Sequence, residues 1–122
     1  MVSIEEFREM LDELAAEIPA EFYVDLNGGI LLKEEVKIHP KSRGEDLKIM
    51  GEYVRSRYMG RLINIYYGSF MEVYGNLSYN VLRERVNDTL RHELTHHLES
   101  LAGYKDLEVE DEVFLHRYLE RH

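Results

Sequence analysis

The sequence predicts an α+β fold, and three observations carry that expectation. Apolar residues recur at helical spacing near the N-terminus, and again beyond residue 78. Between those stretches, residues 29 to 70 hold short runs of β-branched and aromatic residues parted by turn signals. No repeat, low-complexity tract or linker divides them, so all 122 residues are expected to form one domain.

The elements follow in order. Ser3 and Glu6 form a capping box, and Ile4, Phe7, Leu11, Leu14 and Ile18 then mark a helix over about 4–18, stopped by Pro19. A short helical piece, AEFYVDL, ends at Asn27-Gly28-Gly29, where two glycines favour a turn with positive φ. The runs ILL, VKIH, LKIMGEYV and RLINIYYGSF predict a sheet of three or four strands, the last two joined as a hairpin through Tyr58-Met59-Gly60. Ser78 caps a long helix to about Ala102, with Gly103 as its stop and Leu82, Val86, Leu90, Leu94, Leu98 and Leu101 as its apolar stripe. A last helix is expected over about 107–121.

Composition narrows the function. Hydrophobic residues at 44% support a modest core, and charged residues at 32% a polar surface. The net charge of −9, from 15 Lys+Arg against 24 Asp+Glu, repels phosphate backbones and anionic lipid, so neither nucleic acid nor membrane is an expected partner. The absence of cysteine removes disulfides, thiolate zinc fingers and cysteine nucleophiles. MVSIEEFREM lacks the basic and apolar regions of a signal peptide, and a cytoplasmic location is expected.

The stretch HELTHHLESLAG, residues 92 to 103, carries the chemistry. His92-Glu93-Leu94-Thr95-His96 fits H-E-x-x-H. Positions four apart on a helix are offset by about 40° and one turn, so both imidazoles can reach one tetrahedral Zn²⁺. Glu93, about 100° round from His92, can approach water at the metal as a general base. With His92 at zero, Leu90, Leu94, Leu98 and Leu101 fall between about 160° and 240°, so the leucines face a core and the two histidines point away from it. His97, at about 140°, sits near the leucine side and reads as a partly buried histidine with one hydrogen-bonded nitrogen. The competing interpretation is a pair of exposed histidines on a solvated helix.

This stretch, with EDLKIMGEYVRSRYMGRLINIYYGSF before it, resembles the small zincin-like metallopeptidases of bacteria, the minimal zincins. The resemblance runs from EFYVDLNGG to the final helix. It implies a compact α+β domain whose active-site helix packs beneath a short sheet, and a zinc-dependent peptidase acting on a peptide or protein substrate.

The third ligand departs from the family pattern. That pattern continues H-E-x-x-H-x-x-G-x-x-D, whereas position 99 here is Glu and position 102 is Ala. The G-x-x-D element reappears one helical turn later as Gly103-Tyr104-Lys105-Asp106. Two solutions stay open. Asp106 completes the site if the chain folds back at Gly103, its other reading being the N-cap of the last helix. Alternatively Glu99, about 20° from His92 in phase, reaches back as the ligand, or accepts a hydrogen bond that orients His96. Glu108 or Glu112 is a third candidate.

The remaining histidines, His39, His116 and His122, lack ligand spacing and read as surface residues. Tyr66 or Tyr67 is a candidate oxyanion donor, and LINIYYG a candidate strand for pairing with an extended peptide. The expected function is therefore zinc-dependent peptide hydrolysis with Glu93 as general base and His92, His96 and Asp106 as ligands. The alternative is a non-catalytic metal-binding or interaction domain with structural or regulatory zinc.

Overall fold

A computed structural model describes residues 1–44, 46–103 and Leu119. Helix α1 spans Ile4–Glu17, followed by a 3-10 turn at Ala20–Tyr23. Strands β1 (Gly29–Lys33), β2 (Lys37–Ile38), β3 (Lys48–Ile49), β4 (Gly51–Ser56) and β5 (Gly60–Tyr66) come next, then helices α2 (Tyr67–Tyr74) and α3 (Tyr79–Gly103). The architecture is a mixed α+β one.

The capping box forms as expected. Ser3 Oγ accepts the Glu6 N–H, and the Glu6 carboxylate accepts the Ser3 N–H. Further along the chain Ser78 Oγ accepts the Val81 N–H and opens α3. The main sheet has the order β1-β5-β4, with β5 antiparallel to β4 and parallel to β1. The β4–β5 hairpin turns where the sequence suggests. The parallel partner is not legible there, because nothing in the local pattern of ILL specifies a strand more distant than its neighbours. Strands β2 and β3 form a separate two-stranded ribbon.

Gly28 is needed for close approach: a Cβ there would lie 2.7 Å from Leu62 Cβ. Gly29 alone of this pair takes a positive φ, at 71°.

One expectation fails. The run RLINIYYGSF is strand only to Tyr66, and Tyr67–Tyr74 is helix α2. Tyr67, Phe70, Met71 and Tyr74 share a helical face. Tyr67 and Phe70 each pack on the Phe7 ring, with centroids 5.4 Å apart. Ser69 Oγ accepts the Lys37 N–H and ties the new helix to β2. Burial of this aromatic face against α1 overrides the strand preference of the individual residues.

The core lies between the helices and one sheet face. Ile63 and Ile65 of β5 meet Phe7, Met10 and Leu14 of α1 and the leucine stripe of α3. Every stripe residue from Leu82 to Leu101 is buried. Leu119 joins the same core, while the helix expected over 107–121 otherwise lies outside the described residues. Among the described residues no helix is long and apolar enough to cross a membrane.

Candidate metal centre

Because α3 turns its leucines to the core, the other side of the helix is left facing a cleft of about 710 Å³. Its helical wall presents His92, Glu93, His96 and Glu99. The opposite wall is β4 and its approach, with Ile49, Gly51, Glu52 and Tyr53, and His39 also lines the cleft. A smaller hollow of about 470 Å³ continues the cleft past Met50, Thr89 and Asp88. Gly51 permits this closeness of strand and helix. A Cβ there would come within 2.8 Å of Thr89 Cγ2.

The two motif histidines converge. Their Nε2 atoms are 3.1 Å apart and the rings meet edge to face, with centroids 4.6 Å apart. Two nitrogens bound at about 2.05 Å to one tetrahedral zinc lie about 3.3 Å apart, so the pair is set almost at the spacing one ion requires. Each Nε2 must be unprotonated to act as a donor.

Glu93 is 6% exposed, unlike its histidine neighbours. Burial pushes its carboxyl above the usual carboxylate range, while His92, His96 and a hydrogen bond from the Tyr53 backbone pull the other way. The origin of that backbone bond lies in the sheet register. Tyr66 N–H donates to Met50 O, so even-numbered residues of β4 bond to β5 and Gly51 and Tyr53 turn their peptide groups outward. The Tyr53 N–H is thereby aimed at the helix.

His97 is more deeply involved than its helical phase suggests. It is fully buried, and both ring nitrogens are bonded. The Val24 carbonyl, 2.7 Å away, can only accept, so His97 Nε2 donates to it. Nδ1 of the neutral ring then accepts the Tyr53 hydroxyl at 2.8 Å. Burial holds the His97 pKa below its ordinary value and so favours this neutral form. A line of hydrogen bonds thus runs from the N-terminal segment through His97 and Tyr53 to Glu93.

Glu99 lies beside His96. Its carboxylate lies 3.5 Å from His96 Nδ1, across the ring from the nitrogen that meets His92. Among the described residues no three His, Cys, Asp or Glu side chains are gathered as a metal-holding group. Asp106, Glu108 and Glu112 lie outside the described residues.

Three other expectations are corrected. Tyr67 Oη donates to the Val2 carbonyl at 2.7 Å, and Tyr66 Oη donates to Glu52, so both hydroxyls are engaged elsewhere. Strand β5 is central rather than at an edge, hence β4 is the strand whose open side faces the cleft. His39, read as a surface residue, is a cleft residue. Nothing in its own spacing signals that, since the ribbon β2–β3 brings it there.

Fold and site define a mixed α+β chain with H-E-x-x-H on a helix that walls a cleft. No protein-family model matches the sequence, and no curated protein does. A solved structure, that of a conserved hypothetical protein from Thermus thermophilus, is 37% identical, with a TM-score of 0.71. The match covers 84% of this chain and 99% of that one. The chain belongs to the family of that protein.

Proposed function

We propose that the protein is a zinc-dependent metallopeptidase with a minimal zincin-like fold. The observation that carries this is the convergence of His92 and His96 Nε2 at 3.1 Å, with the buried Glu93 between them and β4. His92 and His96 supply two ligands and Asp106 the third, while Glu99 holds the His96 ring from its Nδ1 side. Zinc in this setting supplies Lewis acidity toward a carbonyl and acidifies water.

The chain's own residues do the rest. An extended peptide lies along the open side of β4, where Gly51 and the carbonyl of Tyr53 present backbone groups, the Tyr53 N–H being engaged by Glu93. Glu93 takes a proton from the attacking water and returns it to the leaving amine. Its burial raises its basicity, and the Tyr53 N–H fixes the direction in which its carboxylate points. Tyr53 is held in turn by His97.

The test is Glu93→Gln in untagged, zinc-loaded protein, assayed on a peptide library with zinc measured by elemental analysis. Loss of the base is expected to lower turnover by about 10²–10⁴-fold with zinc retained. Undiminished hydrolysis at full zinc content would refute the mechanism.

A further inference from the structure

The geometry points to His39 as a substrate-binding catalytic residue, donating a hydrogen bond from Nε2 to the carbonyl oxygen under attack; this rests on the peptidase reading above. His39, directly after β2, lines the same cleft as the H-E-x-x-H helix. Its ring orientation is specified locally. Lys41 N–H donates to His39 Nδ1 at 3.0 Å, so the proton of the neutral ring resides on Nε2 at the other side of the imidazole.

The backbone around it is braced. His39 N–H donates to Leu47 O at 2.8 Å, and His39 O accepts the Ser42 N–H at 2.9 Å. The Ser42 hydroxyl accepts the Leu47 N–H and lies 2.8 Å from the Asp46 carboxylate. A donor held this way loses little on reorganisation when charge develops beside it.

His39 is not a third metal ligand. Among the described residues it is not gathered with His92 and His96 into a metal-holding group, and its Nδ1 is already engaged. An Nε2–H donor that lines the same cleft as the edge strand and the H-E-x-x-H pair is available to a substrate bound there. The hydroxyls of Tyr66 and Tyr67 are occupied elsewhere, and that of Tyr53 donates to His97.

The experiment uses the zinc-loaded full chain and a phosphinic tripeptide as probe of the tetrahedral state. Imidazole ¹H–¹⁵N spectra should show His39 as the Nε2–H form, with its resonance displaced by the probe. His39→Ala should weaken probe binding about tenfold or more and lower kcat about 10²-fold with KM little changed, as for removal of one oxyanion donor. His39→Gln, which keeps an N–H donor, should recover most of both, and zinc content should be the same in all three proteins. Wild-type affinity for the probe in His39→Ala overturns the assignment, even where Glu93→Gln abolishes hydrolysis. So does a probe that fails to bind the wild type. Probe binding through His39 without cleavage of any peptide sinks the peptidase reading and leaves the donor standing.

Discussion

Replacing His97 by Phe isolates the strut behind Glu93. The ring is fully buried and packs against Tyr53 with centroids 5.4 Å apart. Phenylalanine conserves most of that volume, so the cavity cost is small and hydrogen bonding dominates. Two bonds vanish, to Tyr53 Oη and to Val24 O. Each contributes about 1 kcal/mol net, and a part-buried phenol left without an acceptor adds about 1–2 kcal/mol. The expected loss is about 3 kcal/mol, a large share of the roughly 5–15 kcal/mol that holds a domain together. Urea denaturation of metal-free protein should show the midpoint falling by about 2 M at unchanged slope. Tyr53→Phe in the same background removes the orphaned hydroxyl and should restore about 1 kcal/mol, a coupling read from the double-mutant cycle. A His97→Phe midpoint within about 0.3 M of wild type would contradict the claim that these bonds hold β4 against α3.

Two further outcomes are expected. Glu99→Gln should weaken zinc binding about tenfold in chelator competition, as for a residue that orients a ligand, whereas Asp106→Asn should cost far more; the reverse order would make Glu99 the ligand. For Tyr66, burial first and the Glu52 carboxylate second raise the phenol pKa above its usual value. A raised folded-state pKa means a stabilising contribution that is complete below about pH 10 and lost as pH rises beyond it. Tyr66→Phe should therefore show a shallower loss of urea midpoint between about pH 9 and pH 11 than wild type, and equal slopes would exclude the phenol as the titrating group.

The parts of this molecule that were legible are those written in one helical period. The capping box at Ser3, the leucine stripe of α3 and the outward phase of His92 and His96 each depend on residues within a few turns of one another. What escaped depends on residues far apart in the chain. The parallel β1–β5 pairing made β5 central and moved the open edge to β4. Tyr67 to Tyr74 became helix because Phe7, on α1, offers an aromatic partner. His39 entered the cleft through the β2–β3 ribbon, and His97 found acceptor and donor in Val24 and Tyr53. Phase along the helix placed His97 near the core but could not name its partners.

The two halves of the proposed site also differ in when they can exist during folding. His92 and His96 are one turn apart, so their pairing needs only that turn of α3 to be helical. The setting of Glu93 needs far more. The β4–β5 hairpin closes through a short turn, but α3 must then dock on it, and Val24 must arrive from the N-terminal segment to lock His97. β1 joins β5 only across the whole intervening chain, a non-local closure of the kind that slows folding. The histidine pair thus needs only local structure, whereas the placement of Glu93 needs contacts between distant parts of the chain. The pairing of His92 and His96 is a local property of one helix, whereas the setting of Glu93 is a property of the whole fold.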